Sequence, residues 1–329
     1  MKIKQKLNIM CISYCLYCCS YSPENNRMTT FIETDSFVRH MEPDLFIKGN
    51  ILYIDYCALK TTDGVTSTTI AGHSTTCYHH FPAGLLARFS SLQGFRQVSP
   101  SEVVVADYRQ HCLKIIDRIS LQVSLYARYC GSSGYVTGTS DARFYRPRSI
   151  ISDIKRPGML LVTDYGNDAV RHVNTLSSST PRTVSNFYQQ TSLLDYPRGI
   201  TQHHVSGDLY ITNDHDEVWR VTYSSNSISK LAGTSANSFR NCDFSTSYFY
   251  NPYEIIFIGD NKLMLADNNN HRLRVLNLKT SHTSSVCTGS ASHINGDMET
   301  CTLYYPRSLM VLNDTLYLGE YQRIRKVQG

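Results

Sequence analysis

The chain has 329 residues, 41% of them hydrophobic and 18% charged, which excludes wholesale disorder and leaves room for one large core or two ordinary domains. A formal net charge of +5 is too small to support nucleic-acid binding through bulk electrostatics. There are 23 tyrosines and one tryptophan, strand-forming Val, Ile and Thr are frequent, and no long stretch has helical periodicity, so the sequence reads as all-β.

The first element is a leader. Residues 1–20 place a basic head (Lys2, Lys4, Lys6) before a semi-apolar run from Leu7 to Cys19. This is the layout of a secretory signal peptide with Ser20 as the last residue before cleavage. The run is short for a membrane span, so an uncleaved N-terminal anchor is the alternative. Residues 21–28 read as a linker. Loss of the leader removes three lysines and no acid, and the net charge falls from +5 to +2. No other segment approaches a membrane span.

From residue 29 onward one pattern recurs six times: ILYIDYCALK, VVVADYRQHCLKII, LLVTDYGNDAVRHV, LYITNDHDEVWRV, LMLADNNNHRLRVL and LYLGEYQRIRKV. Each copy is an apolar strand, an acidic or amide marker, a polar turn and a second strand. The markers are Asp55, Asp107, Asp164, Asn213, Asp267 and Glu320, at spacings of 52, 57, 49, 54 and 53 residues. A basic residue follows each marker by five or seven positions: Lys60, Lys114, Arg171, Arg220, Arg274 and Arg325. An apolar residue precedes it, and the lone Trp219 reads as one member of that apolar column. Pro147, Pro197, Pro252 and Pro306 open the strand upstream of the marker, with Pro43 as the counterpart in the first copy. A fourth strand ending in small residues follows, as in STTIAG and SISKLAG.

Four-stranded antiparallel units repeated six times describe a six-bladed β-propeller over residues 29–329. The sixth copy ends after its third strand, so the strand-like piece from Thr29 to Glu33 is expected to close the last blade and tie the termini together.

The consensus of proline, strand, strand ending in Asp, and then Asn-His-Arg-Leu-Arg resembles the NHL repeat, most clearly from Asn251-Pro252 to Arg274. The run from Gly138 to Arg148 is similar to the inter-blade linker of extracellular members, as is the stretch from Asn295 to Arg307. WD40 repeats fit less well, having a shorter period and a Trp-Asp dipeptide that is absent here. The resemblance implies the fold. NHL-type propellers include extracellular recognition proteins, RNA-binding proteins and a metal-dependent lyase, so it does not choose a function.

Seven cysteines lie beyond the leader, none in a Cys-x-x-Cys pair. Cys112 and Cys130 are expected to face each other across the third and fourth strands of the second blade. Cys287 and Cys301 form a second expected pair, and Cys57 with Cys77 a looser third, leaving Cys242 over. Disulfides within blades favour an oxidising compartment, in keeping with the leader. Asn313-Asp314-Thr315 is a single N-glycosylation sequon in an expected turn, also in keeping with secretion.

The twelve histidines give no convergent metal-ligating set. His79-His80 and His203-His204 are adjacent pairs whose members point to opposite faces of a strand, and His111 and His271 share a repeat column that suggests a turn role. No cofactor is expected. The marker acids and basic column read as inter-blade ion pairs, with a charged ring on one face as the alternative. Arg148, Arg198 and Arg307, which follow the strand-opening prolines, are candidates for one mouth of the channel, and Tyr253 interrupts that series. Recognition is otherwise expected in the unequal linkers, Thr75–Leu92, Phe187–Tyr196 and Asn237–Tyr250, the last carrying Phe239, Arg240, Phe244 and Tyr248. The reading is a secreted propeller that binds an extracellular protein or glycan without catalysis. A metal-dependent lyase or hydrolase with an axial site is the alternative, and an RNA-binding propeller a more distant one.

Overall fold

The computed structural model describes residues 27–78, 87–127, 129–139, 141–175, 182–189 and 193–328. The expected leader, the His79-His80 pair and parts of two long linkers lie outside the described residues. The chain is all-β. Its first strands are β1 (Arg27–Pro43), β2 (Ile51–Asp55), β3 (Ala58–Thr62) and β4 (Ser67–Gly72). One antiparallel sheet contains β5 (Leu92–Gln97), β6 (Glu102–Asp107), β7 (Cys112–Asp117) and β8 (Val123–Leu125). The next contains β9 (Pro147–Ser152), β10 (Met159–Asp164), β11 (Ala169–Asn174) and β12 (Val184–Gln189). A third holds β13 (Pro197–Gln202), β14 (Leu209–Asn213), β15 (Glu217–Thr222) and β16 (Ser227–Gly233). A fourth holds β17 (Pro252–Phe257), β18 (Lys262–Asp267), β19 (Arg272–Asn277) and β20 (His282–Val286). The chain ends with β21 (Gly296–Asp297), β22 (Ser308–Leu312) and β23 (Thr315–Gln328).

Six separate four-stranded blades were expected. Among the described residues there are four such sheets and one seven-stranded sheet in the order β22-β23-β1-β2-β3-β4, with β21 beside β1. The cause is the length of β1. Its first half pairs with β23, from Arg27 opposite Gln328 to Glu33 opposite Arg323, and its second half pairs with β2, from Val38 opposite Asp55 to Pro43 opposite Ile51. The segment expected to tie the termini together therefore lies against the C-terminal strand. Pro43 ends β1 instead of opening a strand. The position opposite the marker that proline holds in β9, β13 and β17 is occupied by Val38 in β1 and Leu92 in β5.

The second strands (VVVAD, LLVTD, LMLAD) are buried on both faces, which explains their unbroken apolar runs. Among the described residues six apolar clusters form, each between adjoining repeats. One joins Met310 and Ile324 near the C-terminus to Val38, Met41 and Ile51 near the N-terminus.

The marker and basic columns pair within a repeat, not between repeats as expected. Asp55–Lys60 (2.9 Å), Asp107–Lys114 (2.7 Å), Asp164–Arg171 (2.9 Å) and Asp267–Arg274 (2.7 Å) each join two neighbouring strands of one repeat, and Glu320–Arg325 (3.4 Å) joins two parts of the long β23. The marker carboxylate also accepts a backbone N–H of the incoming linker: Ser91 for Asp107 (3.0 Å), Tyr145 for Asp164 (2.7 Å), Tyr250 for Asp267 and Tyr304 for Glu320 (both 2.8 Å). Arg171, Arg274 and Arg325 extend the tie to linker carbonyls.

The fourth copy departs from this scheme. Three residues separate Asn213 from Glu217, against four between Asp164 and Ala169. The slip places Trp219 opposite Ile211, where Arg171 stands opposite Val162, and turns Arg220 to the other face to pair with Asp208 (2.5 Å). Trp219 thus fills the basic slot, its Nε1 donating to Glu217 (2.9 Å), and Val218 takes the apolar one.

Contact between repeats uses another column. The backbone N–H of Arg146, Tyr196, Asn251 and Tyr305 donates to His111, Asp168, Asp216 and His271 of the preceding repeat, at 3.2, 2.8, 2.6 and 3.1 Å. All eight residues are left-handed, with φ from 48° to 62°. This is the turn role expected of His111 and His271.

Among the described residues three disulfides are present, Cys57–Cys77, Cys112–Cys130 and Cys287–Cys301, with Cα separations of 5.7, 5.0 and 4.7 Å. Cys130 does not lie on a fourth strand, since β8 ends at Leu125. It sits in the departing linker, where Gly131 N–H reaches Gln110 O (2.7 Å). Each bridge fastens a linker to the repeat it leaves. Cys242 has no disulfide partner among the described residues and is half-buried.

The register slip makes a testable distinction between two arginines of one sequence column. Arg274→Met leaves Asp267 buried and unpaired and is expected to cost about 3–5 kcal/mol. Arg220→Met breaks a partly exposed pair and is expected to cost under about 1 kcal/mol. Urea unfolding midpoints compare the two, and equal losses would refute the assigned register.

Candidate functional site

The first strand of each repeat lies innermost, and these strands pack in succession, β1 on β5, β5 on β9, β9 on β13, β13 on β17 and β17 on β22, with β22 on β1. The residue after the one opposite the marker faces the axis. These are Arg39, Gln93, Arg148, Arg198 and Tyr253, joined by Arg307 just before β22, and together they line one cavity of about 30 Å³. Of the sequence candidates, Arg148, Arg198 and Arg307 are brought together here, and Tyr253 fills the break in their series.

Arg39 and Gln93 were missed because the first two copies were aligned on proline. The second lacks one in that position, and Pro43 lies four residues past Arg39. Counting back from the marker's cross-strand partner instead of the proline would have found both.

Four guanidiniums share this mouth. Among the described residues only Arg198 has a carboxylate partner, Asp214, and it also bonds Asn251. Arg39 Nη1 donates to Ser91 Oγ (2.8 Å) and the Leu92 carbonyl (2.9 Å). Arg307 has no hydrogen-bond acceptor for its side chain among the described residues and rests on the rings of Phe37 (3.8 Å) and Tyr253 (4.6 Å). Arg148 lies against Tyr165 (4.7 Å), Tyr253 (5.3 Å) and Tyr108 (5.4 Å), and Arg198 against Tyr253 (4.6 Å). Aromatic faces, not carboxylates, stabilise most of this charge.

The electrostatic consequences are large. Burial, then repulsion from Arg307, brings Arg39 down to about 9, and burial with repulsion from Arg148 brings Arg198 down to about 10. For Tyr253, burial alone would raise the phenol. The charges of Arg148, Arg307 and Arg198, with a hydrogen bond to Arg148, outweigh it and bring the phenol down to about 7.

Beneath the mouth His40 pairs with Glu254 (2.9 Å), and Glu42 pairs with Arg96 (3.0 Å). Burial disfavours the imidazolium, but the Glu254 charge overrides it and raises His40 to about 10. This layer also borders a cavity of about 120 Å³, lined by Met41, Ile151, Ile200, Ile256 and Met310 together with His40, Glu42, Arg96 and Glu254. Among the described residues no group of three or more His, Cys, Asp or Glu side chains is placed to hold a metal ion.

The linker candidates lie elsewhere. Phe239 packs on Arg272 (4.0 Å) and Arg274 (4.8 Å), and Phe244 is buried in the core between the fourth and fifth repeats. Arg240 is exposed over Tyr248 (5.7 Å), whose carbonyl accepts from Arg274 (2.7 Å). None of these four side chains lines the axial cavity.

No protein-family model matches the chain, and no curated protein sequence matches it. Solved structures do. An auxiliary nutrient binding protein from Bacteroides ovatus has a TM-score of 0.70 at 12% identity, over 92% of this chain and 76% of that one. Virginiamycin B lyase from Staphylococcus aureus has a TM-score of 0.58 at 12% identity, over 93% of this chain and 99% of that one. A chain of the nidogen/laminin complex has a TM-score of 0.54 at 13% identity, over 82% of this chain and 84% of that one. At such identities the likeness is one of fold alone: four-stranded antiparallel blades in a propeller arrangement.

One tyrosine is expected to ionise near neutrality. Because the folded value of about 7 lies below the ordinary 10, the phenolate's contribution to stability is full above pH 10 and is lost as pH falls through 7. Ultraviolet titration of tyrosinate is expected to resolve this step in the native protein and to lose it in Tyr253→Phe.

Proposed function

We propose that the chain is a six-bladed propeller of the NHL type that acts outside the cell as a binding module, recognising a protein or glycan through the face that carries the axial mouth. The six-blade reading treats the seven-stranded sheet as two blades that share the long β1. Its first half serves as the outer strand of the last blade and its second half as the inner strand of the first. The register of β1 against β23 and β2, and the apolar cluster joining the two ends of the chain, support it.

The observation that carries the binding role is the axial row. The marker, basic and left-handed columns are spent on internal bonds, whereas the axial residues are four arginines, a glutamine and a tyrosine with few partners of their own. Tyr108, Tyr165 and Tyr196 form a row beside Arg148, with ring centroids 5.7 and 5.0 Å apart in succession. Arginine and tyrosine on a rigid frame are the side chains that most often anchor interfaces. The solved relatives include a nutrient binding protein and a laminin complex, which accords with a binding role.

An extracellular setting is supported by the leader-like N-terminus, the three disulfides and the exposed Asn313 in the turn between β22 and β23. Among the described residues no helix is long and apolar enough to cross a membrane. Expressed through a secretory pathway, the chain is expected to carry one N-glycan that is absent in Asn313→Gln, read as a single mobility step on a gel.

Binding of the purified protein to arrayed extracellular proteins and glycans tests the main reading. A bound partner is expected to be lost, by tenfold or more in affinity, in Arg148→Ala and Tyr108→Ala and retained in Arg220→Ala. Absence of any partner, or binding that the mouth variants leave unchanged, would overturn it.

A further inference from the structure

We infer that the axial mouth is a site for one oxyanionic group of the ligand, a carboxylate or a sulfate, seated among Arg39, Arg148 and Arg307 beside the Tyr253 phenol. This rests on the reading of the mouth-bearing face as the recognition face and names the chemistry recognised there. Of the carboxylates near the four guanidiniums, Asp214 is already engaged by Arg198 and the Tyr165 hydroxyl, and Glu254, which lines the same cavity, is paired with His40. The Arg307 side chain donates to nothing among the described residues, and the Arg148 side chain meets only the Tyr253 phenol as an acceptor. Like charges gathered at low dielectric repel strongly, so an anion supplied from outside gains both their attraction and the relief of that repulsion. Two or three oxygens on one small group match the forked donors of arginine. The cavity of about 30 Å³ suits the anionic group alone, with the rest of the ligand lying over the tyrosine rim.

The layer below does not supply the missing anion. Glu254 is paired with His40, and Glu42 with Arg96, so that layer is balanced. Tyr56 meets Arg39 only through its ring (4.6 Å). Tyr253 is then the internal counter-ion of the mouth, in contact with three of the four guanidiniums. A ligand oxyanion and the Tyr253 phenolate compete for the same charges. Binding of the oxyanion therefore drives a proton from solvent onto the phenolate oxygen, and its affinity weakens as pH rises through the ionisation of Tyr253.

Calorimetry and tyrosinate difference absorbance with sodium sulfate, sodium acetate and glucuronic acid, and methyl glucoside as the uncharged control, provide the test. Sulfate and the carboxylates are the arms that distinguish the two sources of oxyanion. At least one is expected to bind with loss of tyrosinate signal near neutral pH and proton uptake, and methyl glucoside is not. Arg148→Gln and Arg307→Gln are expected to weaken binding tenfold or more. In Tyr253→Phe, binding is expected to persist without the absorbance change and without the weakening near pH 7. Failure of every oxyanion to bind, or equal binding in both arginine variants, would overturn the inference. If a partner still docks on this face and Arg148→Ala releases it, the binding reading survives without the oxyanion.

Discussion

The buried marker carboxylate is the interaction on which the rest of the structure depends. Asp107, Asp164, Asp267 and Glu320 are fully buried, and each joins a basic side chain of its own repeat to a backbone N–H of the linker that enters the repeat. An ion pair in such a place adds little net stability over a well-packed apolar pair, but its geometry is specific. It fixes where the linker ends and hence where the innermost strand begins. Once that start is fixed, a single residue per repeat is carried to the axis.

The candidate site follows from this arrangement without dedicated loops. Five repeats place the axial residue directly after the partner of the marker, and Arg307 holds the same place in the sixth through its backbone bond to Gly319 (2.8 Å). The frame tolerates chemical variation there because the marker carboxylates bond none of those side chains. Arginine at four places costs mutual repulsion, offset by aromatic faces and by a tyrosine brought toward ionisation. The fourth repeat is instructive in a different way. A turn one residue shorter exchanges a buried arginine for Trp219, and Glu217, Asn213 and Lys230 rebuild the local bonding. The repeat keeps its place in the fold with different chemistry inside.

Much of the fold was legible in the sequence because it is written six times. Period, strand content, the pairing of cysteines and the turn role of His111 and His271 all follow from columns in register. The direction of the ion pairs was not legible. Residues seven apart in sequence look alike whether they face each other within a blade or across two, and only strand register separates the cases. The same limit concealed Trp219, since a one-residue change in turn length reverses every side chain after it.

The sequence by itself determined that the chain is a repeated all-β unit, and it singled out Arg148, Arg198 and Arg307 as related positions. It could not join Arg39 and Gln93 to them, because no local signal marks those two residues. Tertiary structure alone decided that six residues separated by at least 50 positions in the chain converge on one cavity, that Phe239 packs on arginines of the fifth repeat and that Phe244 enters the core between the fourth and fifth. The reason is physical. Repetition specifies each blade through local bonds, but the axial environment arises only when the blades stand side by side, and only then do four separate arginines become one concentrated field.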